Sequence, residues 1–258
     1  MMGRYSGYLI CSDIDGTLAD GDYISRENLD AISYFQSEGG LFTVATGRYA
    51  HYVERFPFTV NAPVIAVNGA AIYDLQNERL LHSFRIDRDV TEVLAHIYSL
   101  YGKDIEAHDL CFIDGETSFS GEQLSDSSDA SALSARSDEF KHVFRFYDEE
   151  KARLARLELL DSFGSSFNFF RGWPQGLEMF SLSAGKGPCL KLMKNKFCEG
   201  IHTAIGIGDF ENDVTMMADA DISYAVANAC DEAKALAKRQ APHFHENAVA
   251  WVIEDILK

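Results

Sequence analysis

Short apolar runs alternate with amphipathic stretches along the chain, the pattern of buried strands followed by surface helices. Tyr8-Leu9-Ile10-Cys11 reads as a buried strand. Ser25 then stands as an N-cap for a helix carrying Leu29, Ile32 and Phe35, and Gly39-Gly40 ends that helix before a second apolar run, Leu41 to Ala45. Strand, helix and strand in this order predict a right-handed parallel unit. Runs at Pro63 to Val67, Thr203 to Ile207 and Ile222 to Ala225 extend it into a doubly wound parallel sheet.

The middle of the chain has a different rhythm. From about Phe84 to Glu178, helical periods (Val90 to Leu100, Glu149 to Asp161) alternate with strand-like runs (Leu110 to Ile113, Val143 to Tyr147, Phe167 to Phe170). This predicts a small α/β domain over residues 84–178, inserted into a core made of residues 1–83 and 179–258. Within it, Gly115 to Glu139 is rich in Ser, Asp and Glu, which predicts a mobile loop leading to a helix over Ala130 to Phe140. The fold class expected is therefore α/β, a Rossmann-like core with a smaller α/β insertion.

Composition narrows the partners. The chain has 258 residues, 47% of them apolar, with 18 Phe and 11 Tyr, enough to fill two cores. No segment approaches the roughly 20 consecutive apolar residues of a membrane span. The 23 Lys and Arg against 40 Asp and Glu give a formal charge of −17 without a basic cluster, so neither nucleic acid nor an anionic membrane is an expected partner. Oligomeric state is not legible. Five cysteines without a Cys-x-x-Cys pair indicate reduced core thiols, not zinc ligands or a disulfide framework. Met1-Met2-Gly3 runs into the first strand without an apolar signal segment, so the cytoplasm is the expected compartment.

Reactive residues gather where strands end. Asp13-Ile14-Asp15-Gly16-Thr17-Leu18 follows the first strand; carboxylates at i and i+2 of an extended chain point the same way and suit a divalent cation with nucleophilic and acid/base work. A calcium loop competes for Asp-x-Asp-Gly, but the alternation of ligands stops at Asp15 and no bidentate Glu follows. Val44-Ala45-Thr46-Gly47-Arg48 runs a strand into a hydroxyl and a glycine. Gly185-Lys186-Gly187 opens a helical run, and Ile205-Gly206-Ile207-Gly208-Asp209-Phe210-Glu211-Asn212-Asp213 runs a strand into acids and an amide. Such turns and helix starts can offer backbone N–H groups to phosphate oxygens.

In order and spacing these four segments resemble the haloacid dehalogenase superfamily, and within it the Cof-like phosphatases with a cap inserted between the second and third motifs. Val67-Asn68-Gly69-Ala70-Ala71-Ile72-Tyr73-Asp74 is similar to the family's Asn-Gly hairpin before the cap, and Ala225-Val226-Ala227-Asn228-Ala229 to its late Asn-Ala element. Two local departures stand out: Gly185 replaces the Ser or Asn often found before the lysine, and Asn247-Ala248-Val249-Ala250 lacks a glycine usual there.

The resemblance implies a Mg²⁺-dependent phosphatase of small phosphorylated metabolites, sugar phosphates or nucleotide-like cofactors, working through a phosphoaspartyl intermediate. Asp13 would be the nucleophile and Asp15 the general acid/base. Mg²⁺ would be held by Asp13, the Asp15 carbonyl and Asp209, with Asp213 orienting Lys186 or a water behind them. Lys186, Thr46, Gly47 and Asn212 would hold the phosphoryl oxygens; Arg48 and Asn68 are candidates for substrate binding. A sugar phosphomutase would share the aspartyl phosphate, and a phosphate-ligand sensor would bind without turnover. Asp13 and Asp15 also admit plain readings as a metal ligand and a turn cap. His243 and His245 lack a matched third metal ligand, Cys11 reads as sheet core, and Arg171 with Trp173 as turn packing or a substrate contact from the cap.

Overall fold

In the computed structural model, which describes residues 3–114, 118–124 and 139–258, the chain forms two compact units. One comprises Met1–His82 with Gly185–Lys258, the other Ser83–Ala184. The first unit is built on a parallel sheet of β1 (Tyr8–Ser12), β2 (Leu41–Val44), β11 (Thr203–Gly208), β12 (Ile222–Ala225) and β13 (Arg239–Gln240), in the order β13-β12-β11-β1-β2. Leu9, Ile10, Phe42, Val44, Ile205 and Ile207 are fully buried in it, as expected for parallel strands covered on both faces.

Between β1 and β2 runs α1 (Arg26–Ser37), whose Ser25 side chain accepts the Asn28 N–H at 3.2 Å. Its buried face carries Ile32, Phe35 and Asn28. The Asn28 side-chain oxygen accepts the Ala250 N–H at 2.9 Å and so ties α1 to α7 (Ala248–Asp255). Just before α7, at the segment without the family glycine, Asn247 adopts the left-handed conformation (φ 59°, ψ 47°). Asn is the side chain that tolerates this region best after glycine.

One strand sits elsewhere than the sequence pattern places it. The Pro63 to Val67 run contributes β3 (Val64–Ala66), which belongs to an antiparallel three-stranded sheet with β4 (Ala71–Asp74) and β5 (Arg79–Ser83) and touches the main sheet through a single bridge, Ala45 to Ile65. An apolar triplet fits either sheet, and the tight turn after Ala66 decides between them.

The second unit is an antiparallel sheet in the order β7-β6-β8-β10-β9, formed by β6 (Ile105–Asp114), β7 (Ser118–Leu124), β8 (Glu139–Phe146), β9 (Phe167–Phe170) and β10 (Gly176–Ser181). Helices α2 (Thr91–Tyr101) and α3 (Glu149–Phe163) pack on it through Val93, Leu94, Ile97, Ala152, Ala155 and Leu159 against Leu110, Phe144, Phe146, Phe169, Leu177 and Met179. Each large side chain buried in this way stabilises by about 1.5–3 kcal/mol.

Three expectations need correction. The loop expected over Gly115 to Glu139 contains a strand at 118–124, paired antiparallel with β6; residues 115–117 and 125–138, including most of the expected helix, lie outside the described residues. Phe140, the expected end of that helix, lies in β8. The expected domain boundary after Glu178 falls inside β10, which pairs with both β8 and β9, so the second unit runs on to Ala184.

Candidate active site

Strands β1 and β11 are neighbours, and the chain leaves them toward opposite edges of the sheet, to β2 on one side and β12 on the other. The carboxyl ends at such a reversal are where ligands bind in open α/β sheets. Asp13 continues β1 there, its N–H donating to the Ile207 carbonyl at 2.8 Å, and Asp209 continues β11. Lys186, the first residue of α4 (Lys186–Leu192), is wholly buried, with Nζ 2.6 Å from Asp13 Oδ1 and 2.6 Å from Asp213 Oδ1. The other Asp213 oxygen accepts the N–H groups of Asp209 and Phe210 at 2.9 and 3.1 Å. Asp209 accepts the Thr17 hydroxyl at 3.2 Å.

The turn after β3 seats the lysine. Val67, Asn68 and Gly69 all have positive φ (52°, 54° and 86°). The Gly69 carbonyl accepts the Gly185 N–H and the Cys189 thiol, each at 3.2 Å, and a Cβ on Gly69 would lie 2.1 Å from the Gly185 carbonyl carbon. Only a glycine allows that approach. The same turn reaches the other segments: Asn68 donates its N–H to the Thr46 carbonyl at 2.8 Å, and its side-chain oxygen accepts from Asn212 Nδ2 at 2.9 Å. Thr46 Oγ1 in turn accepts the Arg48 N–H at 3.1 Å.

Burial, followed by the nearby Asp213, pushes the Asp209 carboxyl up to about 7, against Lys186 and the Thr17 bond. Burial also raises Asp13 well above the usual carboxylate range, against the nearby Lys186 ammonium and with the Asp213 and Asp209 charges adding to the rise. Burial alone would lower the Lys186 ammonium, but its two carboxylate partners carry it above the usual range. One ammonium thus faces three clustered carboxylates, with one oxygen from each of Asp13, Asp209 and Asp213 within 4.8 Å of one another. An all-oxygen, excess-negative cluster of this kind fits a small hard divalent cation. Asp213 has both oxygens engaged, so Asp13 and Asp209 have more to offer it.

Without a cation this cluster carries a signed pH dependence. Asp209 rises from 3.8 to about 7 on folding, so between those limits the folded state holds a proton that the unfolded state releases, and stability falls as pH rises. We expect the metal-free protein to lose thermal stability from pH ~4 to ~7, Mg²⁺ to oppose that loss, and Asp209→Asn to flatten the slope. Melting curves across this range with chelator and with Mg²⁺ check it; a metal-free stability that rises over the same range contradicts it.

A model of the haloacid dehalogenase-like hydrolases matches residues 10–253, nearly the whole chain. The chain belongs to this family. The 5-amino-6-(5-phospho-D-ribitylamino)uracil phosphatase YwtE of Bacillus subtilis is 25% identical, over 96% of this chain and 97% of its own length. Phosphatase YwpJ of the same organism is 26% identical, over 96% and 99%. The solved structure of a haloacid dehalogenase-like hydrolase from B. subtilis superposes with a TM-score of 0.76 at 21% identity, covering 96% of this chain and 99% of that one, and so shares the fold. The chain is an enzyme, a haloacid dehalogenase-like hydrolase whose core carries an inserted cap.

Of the residues singled out from the sequence, this hydrolase brings Asp13, Lys186, Asp209 and Asp213 into one cluster and ties Thr46, Asn68 and Asn212 around it. Asp15 is not in the carboxylate cluster: its half-exposed side chain meets Arg48 at 3.5 Å. Gly47 lies against the Asn68 amide, 3.1 Å from where its Cβ would be. Asn212 donates one amide N–H to Asn68 at 2.9 Å, while its side-chain oxygen is buried with no partner among the described residues. His245 meets Asp20 at 3.2 Å, and neither it nor His243 belongs to a cluster of three metal-ligating side chains among the described residues. Cys11 is sheet core, its thiol raised by burial. Arg171 donates to the Pro174 carbonyl at 3.1 Å and Trp173 lies against Gly176, which is turn packing. Asn228 was legible only as part of the Asn-Ala element; its amide donates to the Gly16 carbonyl at 2.8 Å and accepts the Phe244 N–H at 3.2 Å, bracing the turn that follows Asp13.

No helix is long and apolar enough among the described residues to cross a membrane.

Proposed function

We propose that this hydrolase is a Mg²⁺-dependent phosphatase of small phosphorylated metabolites, transferring the phosphoryl group first to Asp13 and then to water. The observation that carries this reading is the Asp13 carboxylate itself. One of its oxygens is fixed by a buried ammonium at the sheet's reversal point, and a second acid two residues on stands half exposed beside a guanidinium.

In the first step an Asp13 oxygen attacks phosphorus; the bond to the leaving oxygen breaks and Asp15 gives that oxygen its proton. In the second, Asp15 takes a proton from water as the water attacks the phosphoryl group, releasing phosphate and restoring Asp13. Lys186 and the Thr46 hydroxyl neutralise and hydrogen-bond the phosphoryl oxygens. Asp13, Asp209 and the Asp15 carbonyl would hold Mg²⁺, which supplies further charge neutralisation on those oxygens. In a chain of charge −17 an anionic substrate depends on these local cations.

The name of the relative YwtE supports a substrate with a phosphorylated polyol chain on a heterocycle, and simple sugar phosphates belong to the same chemical class. The test is a phosphate-release screen of phosphorylated sugars, polyols and nucleotide precursors with chelator and with added Mg²⁺. Release that vanishes with chelator and returns with Mg²⁺ is expected. Full activity after exhaustive chelation overturns the metal assignment, and a requirement for a sugar bisphosphate replaces hydrolysis by a mutase reaction.

A further inference from the structure

Tyr52 has no part in the reaction written above, yet it lies between the two arginines that answer the carboxylates following β1. It sits in the short turn Ala50–Arg55, its N–H bonded to the Tyr49 carbonyl at 3.0 Å. The guanidinium carbon of Arg48 is 5.0 Å from its ring centroid, and that of Arg55 is also 5.0 Å away. Beyond the ring, Arg48 Nε meets Asp15 at 3.5 Å and Arg55 Nη2 meets Asp22 at 2.8 Å. Phe56 supports the ring edge-on, with centroids 5.7 Å apart. Five groups therefore touch in sequence, Asp15, Arg48, Tyr52, Arg55 and Asp22, with two pairs of opposite charge joined through one aromatic ring.

The Arg48 and Asp15 side chains are 57% and 48% exposed, and they meet at 3.5 Å. A pair of this kind gains little by itself, because holding a long flexible arginine in one geometry costs rotamer entropy. A ring face attracts the guanidinium and narrows its range before Asp15 adds anything. The ring is itself packed against Phe56, and the second arginine over it meets Asp22 at 2.8 Å. Asp15 and Asp22 belong to the same segment, so the ladder leaves that segment and returns to it.

We propose that Tyr52 is a positioning residue for leaving-group protonation: it holds Arg48 against Asp15, so that the Asp15 carboxyl keeps one orientation toward the departing oxygen. The proposal rests on the acid/base reading of Asp15. As the bond from phosphorus to the leaving oxygen breaks and the bond to Asp13 forms, the Asp15 proton passes to the leaving oxygen, and Arg48 stands beside the carboxylate left behind. An alkyl oxygen needs that proton; a nitrophenolate departs without it.

The test compares wild type, Tyr52→Phe and Tyr52→Leu on glycerol phosphate and para-nitrophenyl phosphate, and follows the Arg48 Nε–H signal by NMR in the same three proteins. In Tyr52→Leu, kcat on glycerol phosphate should fall about 5-fold, while para-nitrophenyl phosphate changes by less than about 2-fold. The Arg48 signal should exchange faster with water. Tyr52→Phe keeps the ring face and should match wild type in all three readouts. Equal losses on both esters, or an Arg48 signal unaltered in Tyr52→Leu, overturn the proposal. Wild-type protein that releases no phosphate from either ester or from any compound of the phosphate-release screen defeats the phosphatase reading instead, and the Arg48 signal still shows whether Tyr52 holds the arginine.

Discussion

Asp13→Asn should lower phosphate release by about 10⁴-fold or more, because an amide oxygen is a poor nucleophile toward phosphorus and the substitution also removes a charge from the metal cluster. The fold should survive. Asn is nearly isosteric, Lys186 keeps Asp213 at 2.6 Å, and one fewer carboxylate crowds the pocket. Circular dichroism and a melting curve measured beside phosphate release separate the two effects. Near-normal turnover in a folded Asp13→Asn protein contradicts nucleophilic catalysis at this position.

Lys186→Ala should damage stability and activity together. The ammonium is fully buried between Asp13 and Asp213, whose side chains are 9% and 0% exposed, so its removal leaves two carboxylates in a low-dielectric site with no cation. Breaking a buried pair from one side costs about 3–5 kcal/mol, which for a protein of this size is a fall of about 10 °C in Tm. The loss has a direction in pH. Carboxylates whose folded protonation range is raised, as at Asp13, contribute more stability when protonated, so the variant should recover as pH is lowered and weaken as it rises. Phosphate release should fall by about 10³-fold, as for a lost donor to a transition-state oxyanion. Unfolding of wild type and variant at acid and neutral pH checks the first effect, and saturating kinetics the second. A variant as stable as wild type at neutral pH contradicts the buried ion-pair account.

Much of the first unit was legible because parallel strands buried on both faces write themselves as apolar runs, and because reactive residues follow those runs directly. Asp13 after β1 and Asp209 after β11 needed no knowledge of pairing to be placed at strand ends. Register was harder to read. Val64–Ala66 looks the same in either sheet, and only the left-handed turn at Val67, Asn68 and Gly69 sends it into the antiparallel one. Strand β7, with Ser118, Ser120, Gly121, Glu122 and Gln123, has the composition of a loop; pairing with β6 overrides that propensity. β10 mixes Glu178 with Leu177, Met179 and Phe180, and its place between β8 and β9 depends on long-range pairing. In the site, charge and hydroxyl chemistry could be chosen from motif context, whereas the bond from Asn212 to Asn68 joins residues 144 positions apart. The Tyr52 ladder is hidden for the same reason: Tyr52 and Arg55 carry no signal, and Arg48 shows only its motif, until the turn that brings them to Asp15 and Asp22 is known.

Whether Asp13 carries the phosphoryl group is measured most directly by quenching the enzyme during turnover and reducing it with borohydride, which converts an aspartyl phosphate into homoserine. Mass spectrometry of the digested protein should then find homoserine at the position of Asp13, dependent on substrate and missing from Asp13→Asn. Rapidly quenched, actively hydrolysing enzyme with an unmodified Asp13 peptide, or with homoserine at another aspartate, would contradict the account.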